Sequence, residues 1–474
     1  MVTEVKTTDV VVIGGGPVGE NVADRAVRGG LTAVLVESEL VGGECSYWAC
    51  MPSKALIRSG AALSAALSLP GAREAVTGSL DAAQVFARRD AMAANWDDSG
   101  QAKWVAQQGI TLVRGQGRIS GEREVQVTSK DGTVTTIQAR QAVVIATGSV
   151  PVVPAIEGLD ETPFWGTREL VSAEDVPESI TVIGAGVAGT ELAQAFSRLG
   201  AKVTIIARSG ILRGFPTPAA DLVKNALEKE GIQVLTNTGI RTVAKNGENA
   251  VSVTLDSGDT IESERLLVAT GRRPALDGLG LEDLGLSSTG LPSDDTGRVR
   301  SAGDWLYVLG DAADKVMLTH QGKYEARAAG DAIAARAAGT LGDDVEPWSK
   351  YAAMANSYAV PQVVFTDPEI AMVGRTLEQA KKDGVNASEV SLPIAVAGSA
   401  LHSEGYTGWA QMIVDEDRRV IIGATLAGPD VAEMLHAATI AIAGEVPLER
   451  LWHAVPSFPT VSEVWLRLLE QYGL

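Results

Sequence analysis

The sequence predicts an α/β fold in which two parallel-sheet units are combined with a smaller C-terminal α+β domain. An apolar strand near the start of the chain runs into a glycine-rich turn and then a helix, and the same pattern returns 170 residues later. Strands that alternate with helices in this way are typical of parallel sheets. From about Ser349 onward, short strands are joined by Pro, Gly and Asp turns and are followed by an Ala-rich helical segment, which predicts the separate mixed domain.

The first unit, "DVVVIGGGPVGENVADRAVRGGLTAVLVES", has the strand, turn and helix of a Rossmann-like dinucleotide-binding motif. In that motif the first glycine makes the turn, the second lets the backbone approach a pyrophosphate, and the third lets helix and strand pack closely. The start of the helix also offers unpaired N–H groups to the phosphates. A carboxylate 23 residues past the first glycine is expected to accept hydrogen bonds from a ribose diol. The candidate residues are Gly14, Gly16, Gly19 and Glu37.

The second unit, "SITVIGAGVAGTELAQAFSRLGAKVTIIARSG", repeats the glycine spacing with Gly184, Gly186 and Gly189. It differs at the position of the ribose-binding carboxylate, where alanine stands and Arg208 and Arg213 follow. Guanidinium groups match phosphate geometry and stay charged, so this unit is expected to prefer NADP(H) to NAD(H). In the alternative interpretation, both arginines are solvated surface charges.

Three further strands end in residues that suit a ligand at the carboxyl edge of a sheet. The segments "AVVIATGS" and "LLVATGRRP" end in small residues that let a ligand approach the backbone, and "WLYVLGDAAD" ends in a carboxylate. The candidate residues are Thr147, Gly148, Gly271 and Asp311.

The composition of the 474 residues argues against several classes of protein. A net charge of −19 argues against nucleic acid or an anionic membrane surface as a partner, because both would repel the chain. The apolar runs are far shorter than the roughly 18 residues that a membrane span needs, and the N-terminal segment shows no signal-peptide pattern. Two cysteines do not make a disulfide framework of the secreted type. We expect a cytoplasmic protein, and no pattern in the sequence predicts a metal site.

Both cysteines, Cys45 and Cys50, lie in the short stretch "ECSYWAC". In a regular helix, residues five apart have Cα atoms separated by roughly 8–9 Å, whereas a disulfide needs about 7 Å or less. The pair can therefore form a disulfide only if the stretch is irregular, or is a distorted entry into the helix that begins near Pro52. A thiol at a helix N-terminus has a depressed pKa, which favours a redox-active pair. The alternative is that both cysteines are small, buried apolar side chains.

The chain resembles the flavoprotein disulfide reductases, the pyridine nucleotide–disulfide oxidoreductase family, over nearly its whole length. The motifs that carry the resemblance are "GGECSYWACMPSKAL", both glycine motifs, both "ATG" segments, "GRRP", "LGDAAD", "FTDPEIAMVG" and "IIGATLAGP". The resemblance implies an oxidoreductase that forms a homodimer and binds FAD in the first unit and NADPH, or alternatively NADH, in the second. It also places Gly43 among the cofactor-binding residues. The implied domains are FAD-binding (1–150 and 271–348), NAD(P)H-binding (151–270) and C-terminal interface (349–474).

The resemblance also implies roles for individual residues. Cys50 corresponds to the thiol next to the flavin, and Cys45 corresponds to the interchange thiol that attacks the oxidised acceptor. Lys54 and Glu191 correspond to an ion pair beside the flavin and the nicotinamide, and Asp311 to a carboxylate on the ribityl chain of the flavin. In the implied pathway NADPH delivers a hydride to FAD, FAD reduces the disulfide of the two cysteines, and the resulting dithiol passes two electrons to an acceptor.

The sequence departs from this family near its C-terminal end. The family's thiol chemistry uses a histidine that is oriented by a glutamate and donated across the dimer, but in "LWHAVPSFPTVSEVW" Phe458 stands at that position. Phenylalanine cannot transfer a proton, and general acid–base help typically contributes about 10²–10⁴-fold. Glu463 matches the orienting glutamate, and is either functional or a surface carboxylate. His453 is either a substitute acid–base residue or a surface histidine.

Three functions are compatible with these observations. We favour NADPH-dependent reduction of a low-molecular-weight disulfide. The second function is reduction of quinones, dyes or metal ions, for which no acid–base histidine is needed. Mercury is a poor candidate, because mercuric reductases use an extra cysteine pair that this sequence does not contain. The third function is that of a non-catalytic, cofactor-binding sensor or subunit.

Overall fold

The computed structural model describes residues 2–247 and 250–474, which divide into two compact units. Unit 1 contains the described residues of Met1–Met51, Asp90–Val152 and Arg272–Asn356. Unit 2 contains those of Pro52–Arg89, Val153–Gly271 and Ser357–Leu474. This division puts residues 52–89, the second glycine motif and the C-terminal region into one unit, and so differs from the three predicted domains, whose boundaries stay a prediction.

The strands are short, and most are bounded by glycine or polar residues. In chain order they are β1 (Val2–Ile13), β2 (Ala33–Glu37), β3 (Thr111–Arg114), β4 (Gln116–Gly121), β5 (Glu124–Thr128), β6 (Val134–Ile145), β7 (Ser149–Pro151), β8 (Ser179–Ile183), β9 (Lys202–Ile206), β10 (Gln233–Leu235), β11 (Ile240–Asn246), β12 (Ala250–Leu255), β13 (Thr260–Ser263), β14 (Arg265–Val268), β15 (Arg272–Pro274), β16 (Leu306–Val308), β17 (Pro361–Val364), β18 (Glu369–Gly374), β19 (Ala387–Pro393), β20 (Trp409–Asp415) and β21 (Val420–Gly428).

The α-helices range from a single turn to five turns. In chain order they are α1 (Pro17–Arg28), α2 (Gly43–Tyr47), α3 (Cys50–Leu67), α4 (Ala82–Met92), α5 (Ser99–Gln107), α6 (Thr167–Val171), α7 (Val187–Arg198), α8 (Thr217–Lys229), α9 (Thr319–Ala337), α10 (Ala355–Tyr358), α11 (Leu377–Lys382), α12 (Ala397–His402), α13 (Leu435–Ala443), α14 (Leu448–Leu451) and α15 (Glu463–Tyr472).

The main sheet of unit 1 has the strand order β3-β2-β1-β6-β5-β4, with β16 also paired to β6. Strands β3, β2, β1, β6 and β16 are parallel, whereas β4 and β5 form an antiparallel edge. In this register Ile13 and Val308 both pair with Ile145. Because parallel strands end at the same edge, the register brings together the loops that follow β1, β6 and β16, where ligands bind in such sheets.

Helices α1 and α9 cover one face of this sheet and bury small apolar side chains against it. Val22 and Ala26 of α1 lie in the same buried cluster as Ala329 of α9 and Val12 of β1. The close approach of the two helices requires glycine at position 330, since a Cβ atom there would lie 2.5 Å from the Cβ atom of Arg25. The packing fixes the start of α9 relative to the glycine-rich turn before α1.

Unit 2 holds a parallel sheet with the order β10-β9-β8-β14, an antiparallel sheet β11-β12-β13 and a five-stranded antiparallel sheet β17-β18-β21-β20-β19. The first of these sheets contains the second strand–turn–helix pattern, in β8 and α7. The five-stranded sheet packs against α13 and α15 through an apolar cluster that includes Leu426, Leu435 and Leu468.

The local predictions agree with the elements to within a few residues. In the first glycine motif, helix α1 ends at Arg28 just before Gly29, and β2 follows at Ala33, as the strand–turn–helix pattern predicts. The helix expected near Pro52 begins two residues earlier, at Cys50. Within residues 2–247 and 250–474, no helix is long and apolar enough to cross a membrane.

Candidate active site

The turn after β1 in unit 1 has the close contacts that the first glycine motif predicts. Gly14 has a φ of +108°, and a Cβ atom there would lie 2.3 Å from the carbonyl oxygen of Ala146 at the end of β6. A Cβ atom on Gly19 would lie 1.8 Å from the carbonyl oxygen of Gly14, so only glycine lets α1 pack on the turn. Gly16 precedes α1, and no side chain caps that helix. The first N–H groups of α1 therefore keep their capacity to bind a phosphate.

The surroundings of Glu37 also fit an adenosine ribose next to this turn. The carboxylate is 9 % exposed and accepts hydrogen bonds from the backbone N–H groups of Gly15 and Glu39, at 2.6 Å each. Burial raises its pKa, and the two N–H donors oppose that shift. Each carboxylate oxygen has more than one acceptor site, so both can also accept a bond from a ribose hydroxyl. The residues of unit 1 fit FAD, and the role of Glu37 stays a prediction.

The second glycine turn, in unit 2, repeats this construction. A Cβ atom on Gly184 would lie 2.3 Å from the carbonyl oxygen of Ala269, and one on Gly189 would lie 2.4 Å from the carbonyl oxygen of Gly184. Beside Gly186 there is open space, since a Cβ atom there would meet nothing within 4 Å. Helix α7 has no side-chain cap either. The turn therefore leaves room and N–H donors for the pyrophosphate of a pyridine nucleotide.

The arginines predicted to recognise a 2′-phosphate lie just beyond the end of β9. Both Arg208 and Arg213 are exposed. Among the described residues, neither side chain has an ion pair or a hydrogen bond. Two unpaired guanidinium groups at this edge fit the prediction of a phosphate ligand.

The cysteine stretch is irregular, as a disulfide between these residues requires. Helix α2 ends at Tyr47, Trp48 has a non-helical φ of −136°, and α3 begins at Cys50. Cys45 and Cys50 are reduced, partly buried thiols that hydrogen-bond to one another. The Sγ atom of Cys50 lies 3.3 Å from Oγ1 of Thr319, at the start of α9. The break between the helices thus brings the two sulfurs together in unit 1.

The surroundings of Cys45 oppose its ionisation. The hydrogen bond with Cys50 and burial raise the pKa of Cys45 well above its usual range, and Thr319 and the charge of Lys323 oppose the shift only in part. A helix N-terminus lowers the pKa of a thiol, but this effect is outweighed at Cys45, because the neighbouring sulfur competes for the same proton. In the dithiol form the raised pKa favours the protonated state of Cys45.

Lys54 and Glu191 form the predicted ion pair within unit 2. The Nζ atom of Lys54 lies 2.7 Å from Oε2 of Glu191, whose side chain is 2 % exposed. The other carboxylate oxygen accepts a hydrogen bond of 2.9 Å from the backbone N–H of Phe365. The ring of Phe365 also lies against the ammonium group, 5.0 Å from Nζ to the ring centroid. Phe365 is the first residue of the motif "FTDPEIAMVG", but its contacts with Lys54 and Glu191 were not predicted.

Replacing Lys54 by methionine is expected to lower the free energy of unfolding by about 2 kcal/mol, because a buried carboxylate loses its partner. The value is below the roughly 3–5 kcal/mol typical of fully buried pairs, because the Lys54 side chain is 35 % exposed to screening water. Urea titration measures the change. The double variant K54M/E191Q should recover much of the loss, and a double variant as unstable as K54M would contradict this account.

Asp311 belongs to a hydrogen-bonded network that the sequence did not reveal. Its Oδ2 atom accepts a bond of 2.6 Å from the hydroxyl group of Ser149, which in turn accepts one of 2.7 Å from Nε of Arg272. Arg272 also binds both carboxylate oxygens of Glu44, with its Nη1 at 3.1 Å and its Nη2 at 2.7 Å. Burial raises the pKa of Asp311, and the Ser149 hydroxyl and the Arg272 charge oppose this shift. The network links a predicted flavin ligand to the residue that precedes Cys45.

Among the residues that the structure describes, the C-terminal candidates of unit 2 form no acid–base pair. Phe458 is 76 % exposed and His453 is exposed. Glu463 is buried at the start of α15, where one oxygen accepts a bond of 2.6 Å from Arg467 and the other has no partner among the described residues. The structure therefore brings no described histidine to Glu463, and substitution of His453 for the family's histidine stays a prediction.

Residues 8–326 match the pyridine nucleotide-disulphide oxidoreductase family, and residues 360–468 match its dimerisation domain. The chain belongs to this family. It is therefore an FAD-dependent enzyme that uses a pyridine nucleotide, and the predicted fold class of two dinucleotide-binding domains with a C-terminal α+β domain is confirmed.

Several relatives of known activity are similar over almost the whole chain. A dihydrolipoyl dehydrogenase from Thermus scotoductus is 32% identical over 97% of this chain and 96% of its own length. A mercuric reductase from Shigella flexneri is also 32% identical, over 96% of this chain and 78% of its own length. The fold is similar to that of the HOCl-induced flavoprotein disulfide reductase RclA from Escherichia coli in its Cu(II) complex, with a TM-score of 0.82, 23% identity and coverage of 98% of this chain and 99% of that one.

Proposed function

We propose that this oxidoreductase uses NADPH to reduce a low-molecular-weight disulfide by means of the Cys45–Cys50 pair. The observation that carries the proposal is the contact of the two thiols across the break between α2 and α3. Two sulfurs held in hydrogen-bonding contact can form and break a disulfide with little movement of the backbone. Buried apolar cysteines, the alternative interpretation, would have no reason to share one irregular segment and the hydroxyl of Thr319.

The two thiols supply both electrons that the acceptor disulfide takes up, in two thiol–disulfide exchange steps. The Cys45 thiolate attacks one sulfur of the acceptor disulfide, forms a mixed disulfide and releases the first acceptor thiolate. The Cys50 thiolate then attacks Cys45, which forms the Cys45–Cys50 disulfide and releases the second thiolate. Two electrons have passed to the acceptor, and each released thiolate takes up one proton. Bound FAD supplies the chemistry that returns two electrons from the pyridine nucleotide to the cysteines.

The other proposed residues bind FAD or stabilise the charge that forms when it is reduced. Gly14 and Gly16 would let the phosphates of FAD approach the start of α1, and Asp311 would hold the ribityl chain. Lys54, whose ammonium group pairs with Glu191, supplies a positive charge. Such a charge next to a flavin would favour its reduction, because it stabilises the negative charge that two-electron reduction creates.

The preference for NADPH rests on Arg208 and Arg213, and it can be tested directly. The double variant R208Q/R213Q is expected to lower kcat/KM for NADPH by about 10²-fold, since two charge-assisted contacts to the 2′-phosphate are lost. The value for NADH should change little. The matched control is K202Q, which removes an exposed charge from the opposite end of β9. An equal loss with both nucleotides would mean that the arginines do not recognise the phosphate.

A second function is favoured by one specific observation, the exposed Phe458 at the position of the family's histidine. Quinones and dyes can take electrons without a group that deprotonates a thiol or protonates a leaving thiolate. Metal ions are less well supported, because this sequence has no third cysteine to bind them. Anaerobic titration with NADPH, followed by assays with disulfides and quinones, separates the two functions. Turnover of every quinone but no disulfide would overturn the first.

The proposed enzyme is a cytoplasmic homodimer that works without nucleic acid or membrane partners. The dimerisation domain at residues 360–468 supports the homodimer. Sedimentation equilibrium of the holoenzyme should give a mass of about twice the 49.3 kDa chain. A monomer with full activity would contradict this part of the proposal.

A further inference from the structure

The segment that carries Cys45 lies directly against the phosphate-binding turn of unit 1. The backbone N–H of Gly42 donates a hydrogen bond of 2.8 Å to the carbonyl oxygen of Gly15. A Cβ atom on Gly43 would lie 2.7 Å from the Cα atom of Gly16, and Gly43 has a φ of +59°. Glycine is therefore required at position 43, and the next residue, Glu44, follows at the edge of the turn that receives a pyrophosphate.

A carboxylate at this position opposes the binding of a pyrophosphate unless its charge is neutralised. Like charges repel strongly where water is partly excluded, and the Glu44 side chain is only 23 % exposed. The neutralising group is Arg272, which binds Glu44 through two parallel hydrogen bonds and whose side chain is 30 % exposed. A fork of this kind fixes the direction of the carboxylate as well as its charge.

Arg272 is itself held in place from two sides. It is the first residue of β15, which pairs with β7 and brings Arg272 opposite Pro151. Its Nε and Nη2 atoms donate bonds of 2.7 Å to the hydroxyl and the carbonyl oxygen of Ser149. The same hydroxyl donates to Asp311. One guanidinium therefore serves two carboxylates that border the FAD-binding region, one directly and one through a serine.

We propose that Arg272 is a positioning residue for FAD. It helps the protein to retain the cofactor by neutralising Glu44 beside the phosphate-binding turn and by fixing Ser149 on Asp311. Loss of the arginine removes this neutralising charge from a carboxylate that follows the glycine packed on the phosphate-binding turn. Loss of both charges removes the conflict. The inference concerns retention of the cofactor and does not depend on the acceptor or on the preferred nucleotide, so its failure is distinguishable from failure of the proposed function.

The test is the rate of FAD release from diluted holoenzyme, followed by the rise in flavin fluorescence. We expect R272Q to release FAD about tenfold faster than the unmodified protein, or more, as is typical when one partner of a partly buried charge pair is removed. E44Q should release FAD at the same rate or more slowly. The double variant E44Q/R272Q should return to within about threefold of the unmodified rate, because the two sites are coupled.

The matched control is R273Q, which removes the adjacent arginine, whose Nη2 atom lies 2.7 Å from the exposed carboxylate of Asp277. It should leave the rate unchanged. A double variant that releases FAD as fast as R272Q would overturn the proposal, since Arg272 would then act only through the fold. If R272Q does not fold, the rate of FAD release from E44Q alone tests the proposal. Faster release from E44Q than from the unmodified protein would show that Glu44 contributes to FAD binding rather than opposing it, and would also overturn the proposal.

Discussion

Replacing Cys45 by serine is expected to abolish turnover of a disulfide acceptor, with a loss of at least about 10³-fold in kcat, because the attacking nucleophile is removed. A serine hydroxyl is not ionised at neutral pH and cannot form the mixed disulfide. Reduction of a quinone by the same variant should persist, since that transfer does not need the interchange thiol. The measurement is NADPH oxidation with each acceptor under anaerobic conditions.

The matched variant Cys50→Ser distinguishes the roles of the two cysteines. It too should lose disulfide turnover, because the mixed disulfide on Cys45 can no longer be resolved. The two variants should differ in absorbance, because only Cys45→Ser retains the sulfur that is proposed to lie beside the flavin as a thiolate. A long-wavelength charge-transfer band is therefore expected in Cys45→Ser and not in Cys50→Ser. Disulfide turnover that survived in Cys45→Ser would show that the pair is not the electron carrier.

The parts of the site that the sequence predicts best are those built from contiguous residues. The contacts around Gly14 and Gly184 follow from spacing, because each glycine turn needs a strand before it and a helix after it. Helix geometry made an irregular segment the condition for a disulfide between Cys45 and Cys50, and the chain does break between α2 and α3. In these cases the local chain already contains the physical constraint.

The parts that the sequence does not predict depend on contacts between distant residues. Arg272 lies 228 positions after Glu44, and only the pairing of β15 with β7 brings it to Ser149 and Glu44. "GRRP" marked the segment, but it gave no indication of the partner. The raised pKa of Cys45 was missed for a similar reason, since a helix N-terminus is visible in a sequence whereas the proton shared between two sulfurs depends on their contact.

The same raised pKa leads to a prediction about pH. A disulfide acceptor is attacked by the thiolate of Cys45, and a raised pKa means that this thiolate forms only as the pH rises. Disulfide turnover should therefore increase continuously from neutral to alkaline pH in the unmodified enzyme. Quinone turnover should not follow this increase, because it does not need the Cys45 thiolate. Measuring both pH profiles on one enzyme preparation checks whether disulfide turnover alone rises with pH.

Replacing Phe458 by histidine should supply the missing base. The exposed ring at position 458 leaves room for an imidazole, and we expect disulfide turnover at neutral pH to rise by about tenfold or more, within the range that a positioned acid–base group contributes. The alkaline increase should also move toward lower pH, because the imidazole accepts the proton of Cys45. Phe458→Leu is the matched control and should change neither rate nor profile. If F458H gained nothing with any disulfide while quinone turnover stayed high, proton transfer would not limit the natural reaction. The phenylalanine would then indicate an acceptor that takes electrons without thiol exchange, and the second proposed function would replace the first.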